Sequence, residues 1–277
     1  MAPSQNHPGK EYDMVPPPIF DNKKIKGSGK LKNKVAIITG GDSGIGKAVA
    51  ILFAKEGADI AIVYLNEHKD AKDTKKIIEG YGQKCLLISG DIENEKFCVK
   101  SISKIIKEFK KINILVNNAG IHYEQKSIQK ISTKQLLKTF QTNIFSVFWL
   151  TREVLKHIPK DGVIINTASV TAYRGSYHLM DYAASKGAIV SFTRSLSANL
   201  ADKGIRVNAV APGPIWTPLI VSSFDSKKMS EFGKKVPMKR AGQPVEVAPC
   251  YLFLACDDSS YMTGQVLHPN GGEIING

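Results

Sequence analysis

The sequence predicts one α/β domain, residues 34–277, built on a doubly wound parallel sheet with helices on both faces. Six short runs rich in β-branched residues follow one another, and a helix-length segment separates each run from the next. Each run is apolar at nearly every position, which is typical of strands buried on both faces. Strands that alternate with helices indicate a parallel sheet with helical crossovers. The runs are VAIIT (35–39), DIAIVY (59–64), KCLLI (84–88), INILVNNAG (112–120), GVIINTAS (162–169) and IRVNAVAPG (205–213).

Two of the predicted helices carry clear signals at their ends. The segment SGIGKAVAILFAKEGA follows the first strand and stops at Gly57, a residue type that favours helix C-termini. The segment QPVEVAPCYLFLAC has Pro244 in its first turn, and Glu246 lies where the helix dipole favours an acid. Two longer helices are predicted around residues 132–156 and 180–202.

Two segments depart from this alternating pattern. Residues 1–33 contain PPP and KGSGK with few periodic apolar positions, which indicates an extended, proline-rich N-terminal extension. The extension either lies over the domain or extends freely into solvent, and we expect it to cover part of the domain. The substrate loop, at about residues 217–240, mixes apolar and basic residues and is predicted to be a mobile lid. Trp216 and Met238 contact either the substrate or the packed loop.

The composition excludes several classes of protein. Hydrophobic residues make up 43% and charged residues 23% of the chain, as in ordinary globular proteins. The net charge of +13 comes from lysines interspersed with acids, so we expect solvated helix faces and no specific nucleic-acid binding. No apolar run approaches the ~18 residues of a membrane span, and the N-terminus lacks the apolar region of a signal peptide. Four cysteines without metal-ligand spacing predict reduced thiols, no bound metal and a cytoplasmic protein.

The first candidate site is the glycine turn TGGDSGIG, which runs from Thr39 to Gly46 between the first strand and a helix. Its glycines allow the backbone to turn tightly and to approach a pyrophosphate, whose charge the free N–H groups of the helix N-terminus bind. The spacing of Gly40, Gly44 and Gly46 differs from GxGxxG, so the motif by itself is a moderately specific signal for a dinucleotide site. A plain strand-to-helix turn is the alternative.

The second candidate site is YAASK, in which Tyr182 and Lys186 lie four residues apart at the start of a predicted helix. At this spacing both side chains project from the same face. A free tyrosine has a pKa near ~10, and an ammonium group within ~4–6 Å lowers that pKa by ~1–3 units. Tyr182 is therefore a candidate general acid/base. Because Tyr-x-x-x-Lys is common on helix surfaces, the assignment depends on the neighbouring groups.

Two further polar residues support this assignment. Ser169 lies just past the strand VIIN (163–166), at a carboxyl end where open α/β sheets bind ligands. Its hydroxyl group can bind a substrate oxygen together with Tyr182. Asn143 lies on the apolar stripe of a predicted helix and therefore needs a buried polar partner, such as a structural water or a backbone group. A satisfied core amide without a catalytic role is the alternative for Asn143.

Together these motifs resemble those of the short-chain dehydrogenase/reductase family over residues 34–277, and in particular its N-terminally extended subgroup, which is likened to glucose and ribitol dehydrogenases. The resemblance implies a single-domain Rossmann fold, an NAD(P)-dependent oxidoreductase acting on CH–OH groups, a small polyol, sugar or ketone as substrate, and a homotetramer. The matching motifs, in the family's order and spacing, are the glycine turn, NNAG at 117–120, Asn143, Ser169, Tyr182 with Lys186, and PGPIWT at 212–217.

The resemblance also implies a role for each matching residue. Tyr182 exchanges the proton, Lys186 lowers the pKa of Tyr182 and binds the nicotinamide ribose, and Ser169 orients the substrate oxygen. Asn143 positions a water that links Lys186 to solvent. The implied cofactor contacts are Gly40, Ser43, Gly44, Ile45, Gly46, Tyr64, Asn66, Asp91, Ile92, Asn118, Ala119, Gly120, Tyr182, Lys186, Pro212, Gly213, Ile215 and Thr217.

The cofactor is NAD or NADP, and the residues around the adenosine ribose decide between them. Where the family often carries an acid for the ribose hydroxyls of NAD, this chain has Tyr64, followed by Leu65 and Asn66. A basic residue there, or directly before Gly44, would bind the 2′-phosphate of NADP, but Ser43 precedes Gly44. Because no arginine is available for the phosphate, we expect NAD.

Two other functions stay open at the level of sequence. A 3-ketoacyl carrier-protein reductase would use NADPH, and the basic surface would dock its acidic carrier protein. A non-catalytic dinucleotide-binding sensor or scaffold protein is an alternative of another class. Such proteins commonly lack part of the catalytic set, whereas Ser169, Tyr182 and Lys186 are all present in this chain.

Overall fold

The computed structural model describes residues 4–275, and these contain one sheet of seven parallel strands. This confirms the predicted α/β architecture with a parallel sheet. The strand order is 3-2-1-4-5-6-7, so the direction of winding reverses between the first and fourth strands. The strands are β1 (Val35–Thr39), β2 (Asp59–Tyr64), β3 (Cys85–Ser89), β4 (Ile114–Asn117), β5 (Val163–Thr167), β6 (Arg206–Val210) and β7 (Val266–Leu267).

Helices connect successive strands on both faces of the sheet. The π-helical segment Gln141–Phe145 joins two of them, α4 and α5, into one continuous element that matches the long helix predicted at 132–156. The α-helices of the described chain are α1 (Gly44–Lys55), α2 (His68–Gly80), α3 (Glu95–Phe109), α4 (Thr133–Phe140), α5 (Ser146–Val154), α6 (Thr171–Arg174), α7 (Met180–Leu200), α8 (Pro218–Val221), α9 (Ser226–Glu231) and α10 (Pro244–Ala255).

Two apolar clusters pack helices against opposite faces of the sheet. Phe53 of α1 and Tyr251 of α10 are fully buried in the cluster that contains Ile38. On the other face, α3, α5 and α7 pack in a cluster that contains Ile37. Ile37 and Ile38 are neighbours on β1 and enter different clusters because successive side chains of a strand point to opposite faces. The continuous apolar runs of the sequence follow from this burial on both sides.

The fourth strand is shorter than its apolar run. The run extends from residue 112 to 120, but β4 ends at Asn117. The next two amides leave the sheet, because Asn118 N and Ala119 N both donate to Thr39 Oγ1, at 2.9 and 3.0 Å. The Thr39 hydroxyl at the end of β1 therefore takes the place of backbone hydrogen bonds between strands, and the chain continues after Asn117 as a loop.

The N-terminal extension lies against the domain over most of its described length. Near its beginning, Gln5 N donates to the Val221 carbonyl at 2.8 Å, and Met14 is buried in a cluster with the substrate loop. Trp216 Nε1 donates to the Pro16 carbonyl at 2.9 Å. Trp216 is thus engaged by the extension, while Met238 is largely exposed, and neither lines the cleft described below.

The second part of the extension follows α10 and α1. The Ile19 carbonyl accepts from Val245 N at 3.0 Å, in the first turn of α10. Asp21 forms an ion pair with the buried Lys55 ammonium at the end of α1. Because these contacts span the domain from the substrate loop to the far end of α1, the extension packs as part of the folded body.

Several properties of the described residues bear on the class of protein. No helix in residues 4–275 is long and apolar enough to cross a membrane. No group of three or more His, Cys, Asp or Glu in that range is arranged to bind a metal ion. All four cysteines are free thiols, and Cys85, Cys98 and Cys256 are buried. The last strand, β7, lies near the C-terminus, and residues 276 and 277 lie outside the described range.

Candidate active site

A single large cleft of about 1450 Å³ lies at the carboxyl ends of the central strands, among the described residues. This is the edge of an open parallel sheet at which ligands bind, close to the point where the winding reverses. We call its two ends the cofactor half and the substrate half. The cofactor half comprises the glycine turn and residues 64, 65, 67 and 90–93. The substrate half comprises residues 121–125, 176–179 and 273 with the substrate loop.

The glycine turn fits a dinucleotide phosphate. Gly40 and Gly44 have φ angles of 63° and 54°, in the left-handed region that favours glycine. A Cβ atom at Gly46 would lie 1.9 Å from the Gly40 carbonyl oxygen, so only glycine permits this close packing of turn and helix. The N–H groups of Ile45 and Gly46 have no acceptor among the described residues. They are therefore available to an anion at the N-terminus of α1.

The first amide of α1 is bound by the N-terminal extension. Glu11 Oε2 accepts from Gly44 N at 2.7 Å, and Glu11 Oε1 lies 2.5 Å from Lys47 Nζ. Both side chains are buried, and the Phe20 ring lies 3.8 Å from the same ammonium. Asp70 in turn accepts from the backbone N–H groups of Glu11 and Tyr12, at 2.8 and 3.1 Å. The extension thus contributes a carboxylate directly to the cofactor half.

The opposite wall of the cofactor half is fixed by Asn118. Its Nδ2 donates to the carbonyls of Thr39 and Gly40, at 3.0 and 3.3 Å. Together with the two amides that bind Thr39 Oγ1, these bonds join the ends of β1 and β4 at their carboxyl edge. The NNAG segment therefore shapes the turn as well as lining the cleft.

Tyr182 and Lys186 occupy the first two turns of α7 and face the cleft together, as the spacing predicts. Lys186 Nζ lies 5.6 Å from the centroid of the Tyr182 ring and donates to the Thr167 carbonyl at 2.7 Å. Asp181 anchors the start of this helix to α4, accepting from Gln135 Nε2 and Thr139 Oγ1 at 3.0 and 2.8 Å. The two side chains are thus presented by a rigid, well-anchored helix.

The pKa of Tyr182 moves in the direction opposite to the one expected from the sequence. Burial raises the pKa of Tyr182 to about 12, and the nearby Ser169 hydroxyl opposes this increase. Burial also lowers the pKa of Lys186 to about 8. Desolvation penalises the phenolate, and the Lys186 ammonium is directed at the Thr167 carbonyl and does not offset this effect. In this structure Tyr182 is a neutral phenol, ready to donate a proton.

Ser169 and Asn143 differ in their access to the cleft. Ser169 lines it, and Ser169 Oγ accepts from Thr171 N and Thr171 Oγ1, at 3.2 and 3.0 Å. Asn143 lies in the π-helical segment and is buried off the cleft wall. Its amide bonds the backbone N–H and carbonyl of Ile121 and donates to Ser185 Oγ at 3.0 Å. The polar partners that the sequence requires for Asn143 are therefore the backbone of Ile121 and the hydroxyl of Ser185, which lies one turn after Tyr182 on the same helix.

Most of the residues implied by the motifs line the cleft. The exceptions besides Asn143 are Gly46, which packs against the turn, and Asn66, whose amide N–H donates to Glu67 Oε2 at 2.9 Å. Those on the wall are Gly40, Ser43, Gly44, Ile45, Tyr64, Asp91, Ile92, Asn118, Ala119, Gly120, Ser169, Tyr182, Lys186, Pro212, Gly213, Ile215 and Thr217.

The sequence argument passed over two residues that line this cleft, Asp42 and His122, and a buried ion pair beside the glycine turn, Glu11 with Lys47. Asp42 lies inside the quoted glycine turn, is 4% exposed and lines the cofactor half. His122 lies two residues beyond NNAG, and its ring packs 5.1 Å from that of Tyr182. The same signal that selected Ser169, a polar residue just past a strand end, would have found His122. No local signal pairs Glu11 with Lys47, because the contact depends on the path of the extension.

The sequence matches a family model described as "Enoyl-(Acyl carrier protein) reductase" over residues 40–273. An uncharacterized oxidoreductase YhxC of Bacillus subtilis is 61% identical over 98% of this chain and 94% of its own length. NADPH-dependent aldehyde reductase 1 of Arabidopsis thaliana is 51% identical over 97% of this chain and 96% of its own. Glucose and ribitol dehydrogenase of Daucus carota is 48% identical over 99% of this chain and 96% of its own.

Solved structures give the same assignment. A short-chain dehydrogenase of Burkholderia cenocepacia in complex with NADP superposes with a TM-score of 0.82 at 29% identity, over 88% of this chain and 98% of that one. A 3-ketoacyl-(acyl-carrier-protein) reductase of Brucella melitensis complexed with NADH has a TM-score of 0.80 at 33% identity, over 87% and 98%. The fold, the glycine turn and the relatives agree, and the chain belongs to the short-chain dehydrogenase/reductase family of NAD(P)-dependent oxidoreductases.

Proposed function

We propose that this chain interconverts a small alcohol and its carbonyl compound, with a polyol, sugar or ketone as substrate and Tyr182 as general acid/base. The observation that carries the proposal is the convergence of Tyr182, Ser169 and Lys186 on one cleft that also presents the free amides of the glycine turn. Relatives named as an aldehyde reductase and as a glucose and ribitol dehydrogenase support this class of substrate.

The residues divide the chemistry as follows. Bound NAD(P) supplies the hydride donor or acceptor, and its oxidised form adds a positive charge that favours the phenolate. Ser169 Oγ donates to the substrate oxygen and fixes its position beside Tyr182. In reduction the Tyr182 phenol gives its proton to that oxygen, and in oxidation the phenolate takes it back. Lys186 binds the nicotinamide ribose, and Asn143 acts as a positioning residue through Ile121 and Ser185.

The remaining contacts on the wall are assigned to the dinucleotide. We propose that the Ile45 and Gly46 amides bind the pyrophosphate, while Tyr64, Asp91 and Ile92 surround the adenosine. The segment that follows β6 flanks the nicotinamide. It contributes Pro212, Gly213, Ile215 and Thr217.

We also propose that NAD is preferred to NADP. Asp42 and Glu67 both line the cofactor half, and together with burial the Glu67 charge raises the pKa of Asp42 to about 7. A 2′-phosphate bound here would meet these carboxyl groups, whereas ribose hydroxyls can donate to them. Relatives named with NADPH and with NADP make this the most informative part of the proposal to test.

Fluorescence titration of the wild-type protein with NADH and with NADPH, at one salt concentration, tests the cofactor assignment. We expect the smaller dissociation constant for NADH and turnover of NAD with a panel of polyols and aldoses. Tighter binding of NADPH would contradict the NAD preference. Ketones and ketoacyl thioesters would then be the first substrates to test. Failure to bind either nucleotide would contradict the proposed function itself.

A second candidate is an NADPH-dependent 3-ketoacyl carrier-protein reductase. The net charge of +13 and the likeness to the Brucella melitensis reductase favour it. An enzyme that docks an acidic carrier loses rate steeply as salt increases. Equal rates on a carrier-linked substrate and on a free thioester analogue would eliminate this candidate.

Two broader assignments complete the proposal. We propose a homotetramer, because Phe145 of the π-helical segment and Phe148 of α5 are 40% and 50% exposed. Their rings offer apolar area to another subunit. Sedimentation equilibrium gives the subunit number directly.

The four free thiols support a reducing compartment such as the cytoplasm.

A further inference from the structure

His122 is placed beside the proposed acid/base in the substrate half. It lies five residues after the end of β4, and its ring meets the Tyr182 ring edge-on at 5.1 Å between centroids. Phe224 of the substrate loop packs on another side of the imidazole at 5.5 Å. His122 is only 4% exposed, yet it lines the cleft. Any substrate whose oxygen reaches Tyr182 therefore lies next to this imidazole.

The imidazole of His122 lacks hydrogen-bond partners. Both Nδ1 and Nε2 are buried, and within residues 4–275 neither has a partner with good hydrogen-bond geometry, the backbone carbonyl of Leu219 included. A buried polar group left in this state costs about 1–3 kcal/mol, and native structures contain few of them. Asn143, the other buried polar side chain close to Tyr182, is fully engaged. In contrast to Asn143, His122 is therefore available to a ligand group.

The charge state of His122 defines the chemistry of that partner. Burial lowers the pKa of His122 to about 3, and the neighbouring His7, Lys186 and His178 act in the same direction, while the Leu219 carbonyl opposes them. The ring is neutral at physiological pH and offers one N–H donor and one acceptor nitrogen. A hydroxyl group also donates once and accepts, so it complements a neutral imidazole better than a carboxylate or an ammonium does.

We propose that His122 binds a second hydroxyl group of the substrate, on the carbon next to the reacting one, and so selects vicinal diols and α-hydroxy carbonyl compounds. This inference rests on the proposed function and deepens it. The edge-on contact with Tyr182 restricts the imidazole to oxygens close to the reacting oxygen. Because Phe224 covers the ring from the substrate loop, the second hydroxyl reaches it when this residue moves aside.

The experiment compares two substrates in three proteins. The substrates are cyclohexane-1,2-diol and cyclohexanol, which share a ring and differ in the second hydroxyl. The proteins are wild type, His122→Phe, which keeps an aromatic ring against Tyr182 and Phe224, and His122→Gln, which restores a donor and an acceptor. The readout is kcat/KM for each substrate with the preferred cofactor, together with the dissociation constant of NADH.

In His122→Phe we expect the ratio of diol to monohydric kcat/KM to fall about tenfold or more, because the site then cannot bind the second hydroxyl. The kcat/KM for cyclohexanol falls less than that for the diol, and the affinity for NADH stays close to wild type. His122→Gln recovers part of the ratio. Equal losses with both substrates would show a packing role and overturn the inference, as would an unchanged ratio.

If the wild-type protein turns over neither alcohol, that result counts against the proposed function and leaves the hydroxyl site to be tested by binding. Calorimetric titration of the NADH complex with the diol then decides the inference by itself. Tighter binding to wild type than to His122→Phe would support the hydroxyl site. Equal binding to both proteins would overturn it.

Discussion

The two halves of the cleft satisfy their polar groups in different ways. In the cofactor half, Asn118 and Thr39 bind each other's backbone, and Glu11 binds Gly44 and Lys47. In the substrate half, buried side-chain atoms of His122, His178 and Glu273 have no partner within residues 4–275. The side chains of one end are therefore paired within the protein, and the Ile45 and Gly46 amides are left there for a phosphate. The other end contains unpaired side-chain atoms that a ligand can satisfy.

This difference shows where the fold has fixed the site in advance. A group that is already hydrogen-bonded loses little freedom when a cofactor arrives, which favours tight and general binding. Unpartnered groups gain most from a substrate that matches them, which favours discrimination. We infer that the cofactor half provides affinity for the dinucleotide and that the substrate half provides selectivity.

The N-terminal extension contacts both halves. Glu11 binds the glycine turn, while His7 lines the substrate half and contacts Ser222 and Ser223 at 3.2 Å. Its ring also packs 5.0 Å from that of Tyr123. An extension that the sequence leaves as either packed or free is therefore part of the site wall.

The largest effect is expected at the boundary between the halves, where Tyr182 lies. Tyr182→Phe should reduce kcat by about 10²–10⁴-fold, the range that a general acid/base contributes, and leave the NADH dissociation constant nearly unchanged. Steady-state rates and fluorescence titration measure the two quantities. Tyr173→Phe is the matched control, because Tyr173 does not line the cleft and its hydroxyl has no partner in the described chain. Retained turnover in Tyr182→Phe would remove the proposed acid/base.

The next effect tests whether the cofactor half depends on the extension. Glu11→Ala leaves the Lys47 ammonium buried without its partner, so the free energy of unfolding should fall by about 3–5 kcal/mol. NADH should also bind more weakly, because the bond between Glu11 and the Gly44 amide no longer fixes the glycine turn in place. Urea denaturation and NADH titration measure both changes. Asp258→Asn, which breaks the exposed pair with Lys30, is the control and should change little. Wild-type stability in Glu11→Ala would show that the extension is dispensable.

The smallest effect concerns the pH dependence of stability in the cofactor half. Burial holds the pKa of Asp42 at about 7 in the folded state, against 3.8 as the ordinary value. The folded state therefore binds more protons between these values, and this group's contribution to stability falls as pH increases from 4 to 7. Asp42→Asn should be more stable than wild type at alkaline pH, where the wild-type carboxyl group is both buried and charged.

The sign of that prediction is checked at the acid end. Near pH 4 the Asp42 carboxyl of the wild type is protonated when folded, so the gain from Asp42→Asn should largely disappear. Glu67 and Asp70 are the acidic groups whose charges raise the pKa of Asp42, and both stay in place in the variant. A gain of equal size at both pH values would mean that the carboxyl group is charged throughout, contrary to this account.

The sequence predicts those features that depend on local spacing. The strands follow from apolar runs, and the common face of Tyr182 and Lys186 follows from the helical repeat. Features that depend on tertiary contacts are not predictable in this way. The Glu11–Lys47 pair joins residues 36 positions apart, and the pKa of Tyr182 rises because the folded protein removes water from the phenol.

Asn143 and His122 illustrate the same limit within the site. The sequence places Asn143 on an apolar stripe, but only the fold shows that Ile121 and Ser185 occupy its amide. His122 and Ser169 each follow the end of a strand. That the ring nitrogens of His122 have no partner is evident only from the folded structure of the described residues. Sequence patterns identify candidate side chains, and the fold decides which of them are already satisfied.

Amide hydrogen exchange on the wild-type protein tests the difference between the halves most directly. Exchange is followed in the glycine turn, at Ile45 and Gly46, and in the substrate loop, first with NADH alone and then with NADH and a vicinal diol. We predict that NADH alone protects the glycine turn and that the substrate loop becomes protected when the diol is added. Full protection of the substrate loop by NADH alone, or an unprotected glycine turn in the complex, would contradict the account.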